Sequence, residues 1–298
     1  MELRHLRYFV AVYECRSFRR AAERVHVTQS TLSHQMAQLE SELGERLFDR
    51  VGKGLRVTEA GDLFIVFARR ALQEVDAGVQ ALSENASRLQ GELCVGTTHT
   101  FNLRFIPGCV ASICAQHPAV RVTVTELTAE SVCRQLIDGA IDMGLSYRPG
   151  DMSGLEFEPL YDEQMVLVVA PSHKFARRKR LRLAELHRQP LVLMPKEFET
   201  RQMLDRCFSA CGAVPSVVAQ MSTIAPMLGL VQKSHIGAIV SENALDSSAG
   251  LVRIPLESPT PVRTPGILWR AGGTRSAPMR SFAAIARREA ANRRHGTS

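Results

Sequence analysis

Short polar side chains are concentrated between Thr28 and Ser41, on a segment whose apolar residues repeat at helical spacing. Leu32, Met36 and Leu39 fall on one side of such a helix, which predicts a buried stripe. The residues near its start carry hydroxyls, amides and one imidazole: Gln29, Ser30, Thr31, Ser33 and His34. Because hydroxyls and amides bond both phosphates and base edges, the pattern predicts a recognition helix in a DNA major groove.

A basic hairpin is predicted immediately after this helix. Gly52 and Gly54 separate two short β-prone stretches. The predicted tip carries Arg50, Lys53 and Arg56. Positive charge beside a recognition helix suits contact with the phosphate backbone, so the hairpin is interpreted as a wing. A basic surface hairpin with no role in DNA binding is the alternative.

Two shorter helices are predicted ahead of the polar helix. Apolar residues at helical spacing over 3–13 indicate the first helix. Ser17 is a good N-cap for the second, whose paired alanines suit a tight helix crossing. Thr28 is placed to cap the third helix, and Gly44 is placed to end it. Three helices followed by a hairpin predict a winged helix-turn-helix.

The first sixty residues resemble the signature of the LysR-type transcription regulators. The resemblance is carried in fixed register by Ser17-Phe18, Ala21-Ala22, Val27-Thr28-Gln29-Ser30-Thr31-Leu32-Ser33, Leu43-Gly44, Leu47-Phe48 and Ala60-Gly61. It implies contacts with a double-stranded DNA operator by Gln29, Ser30, Thr31, Ser33, His34, Arg50 and Lys53. It further implies a homodimer, a homotetramer and contact with RNA polymerase. His34 lies at a position that varies with the target site, so the operator sequence stays undefined.

A long helix is predicted to follow the wing. Val75, Val79, Leu82, Ala86 and Leu89 have the 4-3-4-3 spacing of a coiled-coil seam. At ~1.5 Å per residue the helix would be about 45 Å long. The family resemblance implies that it pairs with a second copy. Packing within its own subunit is the alternative.

From Gly91 the pattern changes to alternating strands and helices, which predicts sheets with helices outside. The predicted fold class is α+β overall: a winged helix-turn-helix, a long linker helix and a two-lobed α/β effector-binding domain resembling periplasmic binding proteins, as the family's effector domain does. The expected units are a DNA-binding domain over 1–58, a linker and dimerisation helix over 59–90, and an effector-binding domain over 91–298. Lobe I is expected over 91–162 plus 266–298, and lobe II over 163–265.

Polar residues follow predicted strands in both lobes, at the strand ends where open α/β folds bind ligands. They are Thr98, His99, Thr100 and Thr128 in lobe I, and Phe198, Glu199, Thr200, Arg201, Ser222 and Thr223 in lobe II. Hydroxyls, backbone N–H groups and one guanidinium would cradle a small anion or carboxylate. Helix capping is the alternative for each threonine. The stretches 96–101 and 197–201 also resemble the cyanate-responsive branch of the family, which does not fix the ligand.

The seven cysteines are scattered and odd in number, unlike a secreted disulfide framework. Cys207 and Cys211 can share one helix face, so a thiol redox sensor is an alternative function. Two buried helix thiols are the simpler interpretation. No histidine completes a metal-ligand spacing with them, so neither a metal nor a cofactor is expected.

Other function classes are disfavoured by missing motifs. The chain has no Gly-x-Ser-x-Gly elbow, Walker-type loop, dinucleotide-binding glycine fingerprint or His-Glu-x-x-His site, so an enzyme is not expected. No apolar run approaches the ~20 residues of a membrane span, and no signal-peptide core is present, so a soluble cytoplasmic protein is expected. The net charge of +7 lies wholly beyond Glu92, outside the predicted DNA-binding segment.

Overall fold

The computed structural model describes residues 1–51, 54–83, 89–244 and 250–295. Its N-terminal unit contains α1 (Leu3–Cys15), α2 (Phe18–Arg24), α3 (Gln29–Leu43) and a hairpin of β1 (Phe48–Val51) and β2 (Gly54–Val57). The predicted starts of α2 and α3 and the predicted end of α3 are confirmed, and α1 extends two residues beyond the predicted 3–13. The hydroxyl of Ser17 accepts from the N–H of Arg20, and that of Thr28 from the N–H of Thr31. Gly44 ends α3 at φ +73°, a conformation that favours glycine.

The core of this unit holds the recognition helix in place. Phe9 of α1 is fully buried and packs on the rings of Phe48 and Phe64, with centroids 5.5 and 5.2 Å away. Ala21 and Ala22 are buried where α2 meets its neighbours. The stripe predicted on α3, formed by Leu32, Met36 and Leu39, is buried in the same core.

The linker helix α4 (Glu59–Ser83) extends 25 residues, about 37 Å. Thr58 caps it, since its hydroxyl accepts from the N–H of Gly61 at 3.0 Å. A Cβ on Gly61 would lie 2.4 Å from the carbonyl oxygen of Leu47, so only glycine lets the wing meet this helix. The predicted seam is wrong at Leu89, which lies outside the helix and packs on the core of the next domain. Ala86 and the side chain of Leu82 lie outside the described residues.

Lobe I is a five-stranded sheet in the order β4-β3-β5-β14-β6. Its elements are β3 (Gln90–Thr97), α5 (His99–Gln116), β4 (Ala119–Glu126), α6 (Ala129–Ile137), β5 (Met143–Tyr147), β6 (Leu155–Pro159), β14 (Pro265–Arg270) and α9 (Ala277–His295). Strands β4, β3 and β5 are parallel, and β14 runs antiparallel to β5 and β6. The return of the late strand to this lobe, predicted from the sequence, is confirmed.

Lobe II is a seven-stranded sheet in the order β10-β9-β11-β7-β12-β8, with β13 also paired to β7. Its elements are β7 (Glu163–Val169), β8 (Leu181–Arg182), β9 (Pro190–Leu193), α7 (Glu199–Ala210), β10 (Ser216–Gln220), α8 (Ile224–Gln232), β11 (Gly237–Ser241), β12 (Val252–Glu257) and β13 (Val262–Arg263). The chain crosses between the lobes twice, after β6 and after β13. The crossings are joined by a bond from the N–H of Leu160 to the carbonyl of Pro265.

The linker helix packs against lobe I of its own chain. Arg70 donates to the carbonyl of Ile137 at 2.7 Å, and Gln73 donates to that of Gly139 at 3.1 Å. Glu74 accepts from the hydroxyl of Thr274 at 2.6 Å. In the described ranges no helix is both long and apolar enough to cross a membrane.

Candidate functional site

The polar residues predicted to read DNA lie on the outer side of α3. Gln29, Ser30, Thr31 and His34 are exposed, and Ser33 is half-buried. The hydroxyl of Thr28 contacts those of Ser30 and Thr31 at 2.9 and 2.8 Å. The first turn of the helix therefore presents a connected group of hydroxyls to solvent.

A buried histidine, which the sequence did not single out, touches the same helix. His5 of α1 is fully buried, and its Nδ1 accepts from the N–H of Glu2 at 3.2 Å. Its Nε2 therefore carries the proton and donates to Oε1 of Gln35 at 2.9 Å. Gln35 is half-buried beside His34, so its amide is fixed at the edge of the proposed DNA-reading surface.

The wing is joined directly to the recognition helix. Oε1 of Glu40 on α3 accepts from the backbone N–H groups of Leu47 and Phe48, at 2.8 and 3.0 Å. Arg50 lies in β1, but its side chain is outside the described residues, as is all of Lys53. This joint fixes the start of the hairpin relative to α3.

A cavity of about 910 Å³ lies between the two lobes. Eight of the predicted effector-binding residues line it: Thr98, His99, Thr128, Phe198, Glu199, Thr200, Ser222 and Thr223. Thr100 lies in the first turn of α5, and its side chain is outside the described residues. The strand ends of both lobes thus meet at one site, as the sequence predicted.

Four helices begin at this cavity. Their N-cap residues, Thr98 of α5, Thr128 of α6, Phe198 of α7 and Thr223 of α8, all line it. Only the Thr128 side chain caps its helix, by accepting from the N–H of Ser131 at 3.2 Å. The hydroxyl of Thr98 is buried and makes no hydrogen bond to a described residue. Simple capping therefore accounts for Thr128 but not for Thr98 or Thr223.

Arg201 does not supply the cation expected of it. Its guanidinium donates to Oδ1 of Asp205 and to the carbonyl of Met194, both at 2.9 Å. The side chain is only 6% exposed and does not line the cavity. Arg201 and Thr200 are neighbours on α7 and so point in directions about 100° apart. Thr200 faces the cavity, and Arg201 faces its own lobe.

Arg263 is the buried cation of the cavity, and sequence reasoning missed it. Its Nη2 donates to Oε2 of Glu163 at 2.9 Å, its Nη1 donates to the hydroxyl of Thr200, and its guanidinium lies 3.9 Å from the centre of the Tyr147 ring. Its Nε is buried and makes no hydrogen bond to a described residue. Arg263 lies on a two-residue strand, which leaves no periodic signal in the sequence.

Glu163 holds this arginine at the crossing between the lobes. The carboxylate is 3% exposed and accepts from the hydroxyl of Tyr147 at 3.1 Å and from that of Ser241. These residues come from strands of both lobes. The pair of Glu163 and Arg263 therefore joins the lining of the cavity to the strands at which the chain crosses between the lobes.

Two other carboxyl groups at the cavity have shifted pKa values. Burial raises the pKa of Glu126, but hydrogen bonds from Asn102 and His99 outweigh it, so the pKa lies below its usual range. Nδ1 of His99 lies 2.8 Å from Glu126. Burial raises the pKa of Glu199, and Arg263 and Arg206 only partly offset this. The two arginines thus only partly offset the cost of burying a charged carboxylate at Glu199.

The cysteines of the redox alternative lie in an apolar setting. Burial raises the pKa of Cys207, and its thiol contacts the sulfur of Met203 at 3.8 Å. The thiol of Cys211 donates to the carbonyl of Phe208 at 3.3 Å. A raised pKa keeps a thiol protonated and poorly nucleophilic. Within the described ranges no three potential ligands are grouped to hold a metal ion.

A DNA-reading head, a linker helix and a two-lobed domain around a cavity together define a ligand-responsive transcription regulator. Residues 3–62 match the bacterial regulatory helix-turn-helix protein model of the lysR family, and residues 86–291 match the LysR substrate binding domain. The chain belongs to the LysR family of DNA-binding transcription regulators.

Individual relatives agree with this assignment. The regulator GalR of Pseudomonas putida is 32% identical, over 91% of this chain and 70% of its own length. OxyR of Escherichia coli is 29% identical, over 94% and 92%. A full-length OxyR variant from Pseudomonas aeruginosa has a TM-score of 0.82 at 24% identity, covering 96% of this chain and 95% of its own, which shows the fold alone. CbnR complexed with its target DNA has a TM-score of 0.66 at 25% identity, covering 97% and 100%.

Proposed function

We propose that this regulator binds a two-fold DNA operator as a homodimer, and that a small molecule with an anionic group, bound between the lobes, controls this binding. The observation that carries the proposal is the convergence of four helix N-termini and the buried guanidinium of Arg263 on one cavity. Helix N-termini present backbone N–H groups and a positive partial charge, which favour an anion such as a carboxylate. No cofactor beyond this effector is proposed.

The proposed DNA contacts lie on α3 and the wing. They are Gln29, Ser30, Thr31, Ser33 and His34 for base edges or phosphates, and Arg50 and Lys53 for phosphates. Exposure of the α3 residues and the burial of its opposite stripe support this assignment. Two such helices in a dimer would read two half-sites about one helical turn of DNA apart.

Helix α6 connects the cavity with the linker helix. Its N-cap, Thr128, lines the cavity, and its last residue, Ile137, accepts from the guanidinium of Arg70 on α4 at 2.7 and 3.2 Å. A cation at a helix C-terminus is electrostatically favourable, so this contact holds α4 to the far end of α6. A displacement of α6 on effector binding would move α4 and with it the DNA-binding head. Effector and operator affinities would then depend on each other reciprocally.

A second copy of the chain is the proposed partner of the linker helix. Leu63 and Phe67 lie one helical turn apart on α4 and are 66% and 56% exposed. Burying two large apolar side chains would contribute a few kcal/mol to association. Phe67→Glu is expected to weaken the dimer in sedimentation velocity measurements. Assembly into a homotetramer and contact with RNA polymerase are further proposals, which rest on the family resemblance.

The proposal is tested by a thermal-shift screen of the full chain against small anions and aliphatic and aromatic carboxylates. A ligand at ~100 times its Kd adds about 2.7 kcal/mol to stability, a shift of several degrees. A ligand found in this way should also change the affinity for operator DNA in fluorescence anisotropy. Cyanate is included, because the resemblance to the cyanate-responsive branch stays a prediction. Ligand binding with no effect on DNA affinity would contradict the proposal.

Thiol redox sensing through Cys207 and Cys211 is the second candidate function. Its support is the position of both residues at the C-terminal end of α7. The raised pKa of Cys207 disfavours it. Under this alternative, peroxide alone would change DNA binding and Cys207→Ser would abolish the change. We expect peroxide to leave DNA binding unchanged in both proteins.

A further inference from the structure

The carboxylates of the interlobe cavity indicate which charged group the effector has besides its anionic group. This inference rests on the proposed function. Glu130 and Asp151 of lobe I and Glu197 and Glu199 of lobe II line the cavity. None of the four makes an ion pair with a described residue. Glu199 is half-buried, whereas the other three are exposed.

The two buried or half-buried basic side chains of the cavity already have carboxylate partners, and Arg134, the other guanidinium in its lining, is exposed. Arg263 pairs with Glu163 at 2.9 Å, and His99 lies 2.8 Å from Glu126. An effector with only negative charge would therefore add an unmatched charge to a partly closed space. Burying an unmatched charge is costly, and the carboxylate of Glu199 would increase that cost by repulsion.

Three of these carboxylates act electrostatically on one thiol that lines the cavity. Burial raises the pKa of the Cys133 thiol, and Glu199, Asp151 and Glu130 raise it further. Cys133 lines the cavity on α6, so these groups approach it from both lobes. A cation placed beside Glu199 would attract carboxylates from both sides of the cavity.

The cavity also has polar groups that suit the anionic group of an effector. The side chain of Arg263 is more than nine-tenths buried, and its Nε makes no hydrogen bond to a described residue. The hydroxyl of Thr98, at the start of α5, is likewise buried and makes no hydrogen bond to a described residue. Thr200, which accepts from Arg263, directly follows Glu199 in the chain. An anionic and a cationic site are thus close enough for one small molecule.

We propose that the effector is a small zwitterion, such as an amino acid. Its carboxylate binds at Arg263 and Thr98, and its ammonium or guanidinium group binds at Glu199. Such a ligand has no net charge, so its binding adds no unmatched charge to the cavity. Attraction of the cationic group to Glu199 from lobe II and to Asp151 and Glu130 from lobe I would favour closure of the lobes.

The test is calorimetric titration and thermal shift of the full chain with matched probes. Each proteinogenic amino acid, together with β-alanine and 4-aminobutanoate, is compared with its des-amino carboxylate and its decarboxylated amine. We expect at least one zwitterion to bind, with both of its relatives weaker by tenfold or more. Glu199→Gln should remove that preference over the des-amino acid. Glu257→Gln, at a carboxylate of lobe II that does not line the cavity, should keep it, and circular dichroism checks the fold of both variants.

The possible outcomes separate this inference from the proposed function. Des-amino carboxylates that bind as tightly as the amino acids, in wild type and in Glu199→Gln alike, would overturn the zwitterion but leave the anion-controlled regulator intact. Binding of the amines alone would overturn the anionic site as well. Absence of binding by every probe would contradict both.

Discussion

Nε2 of His5 donates a hydrogen bond to Oε1 of Gln35 at 2.9 Å and so joins α1 to the recognition helix. Because Nδ1 accepts from the N–H of Glu2, the imidazole has its proton on the side of Gln35. The amide of Gln35 is therefore held with its oxygen on His5, and its NH₂ group donates to Oε1 of Gln38 at 3.5 Å. A helix residue that looks merely polar in the sequence is thus oriented by a buried partner thirty residues earlier.

His5→Leu is expected to weaken binding to the specific operator by roughly tenfold, ~1.4 kcal/mol, because Gln35 loses the donor that orients it. Binding to unrelated duplex DNA should change little, since phosphate contacts dominate it. The measurement is fluorescence anisotropy with an operator selected from a random duplex library. Gln35→Ala and the variant that combines it with His5→Leu complete a double-mutant cycle. Additive effects of the two changes would show that His5 does not act through Gln35.

Glu163→Gln is expected to destabilise the protein by about 3–5 kcal/mol, because it leaves the buried guanidinium of Arg263 without its counter-charge. Urea denaturation of the full chain measures this. Glu257→Gln is the matched control, since Glu257 lies 3.4 Å from Arg180, which is 74% exposed. The control should cost less than ~1 kcal/mol. Equal losses in both variants would show that the Glu163 pair has no special role.

Arg70→Ala is expected to separate effector binding from DNA binding. Arg70 donates directly to the last residue of α6, whereas Gln73 of α4 bonds the turn that follows it. The variant should bind effector and operator separately with near-normal affinity, but the effector should no longer change operator affinity. Arg180→Ala is the control, because Arg180 pairs with Glu257 within lobe II and does not contact α4. Intact coupling in Arg70→Ala would exclude this route.

Asp142 should make stability depend on pH at the contact between linker helix and lobe I. Burial raises its pKa, and bonds from the N–H of Cys94 and from Gln73 offset this only in part. A carboxyl with a raised folded-state pKa contributes stability below its unfolded pKa, roughly 4, and loses it as the pH rises through the folded value. Urea denaturation is measured from about pH 4 upward. The free energy of unfolding of the wild type should fall over this pH range, and that of Asp142→Asn should not show this fall. Parallel curves would contradict the assignment.

Local signals in the sequence predicted much of this architecture. Thr28 and Gly44 mark the ends of the recognition helix because capping depends on neighbouring residues alone. The charged centre of the cavity was not predictable in this way. Thr200 and Arg201 are adjacent in the first turn of α7, and nothing local states which of them faces the other lobe. Arg263 reaches the cavity only because two distant strands meet at the hinge.

Leu89 shows the same limit at the linker. Its spacing continues the apolar pattern of the helix, yet it packs on the core of lobe I just before β3 begins. Periodicity records which residues are buried, but it does not record which domain buries them. Contacts between distant segments therefore had to come from the structure.

We propose that an effector bound at Arg263 controls DNA binding, and effector affinity in Arg263→Lys and Arg201→Lys measures this most directly. Lysine keeps the charge but lacks the Nε–H and the planar fork of arginine. Calorimetric titration should show affinity falling tenfold or more in Arg263→Lys and staying within about twofold in Arg201→Lys. The effector should correspondingly lose its influence on operator binding in the first variant only. Normal affinity in Arg263→Lys with a loss in Arg201→Lys would contradict the account.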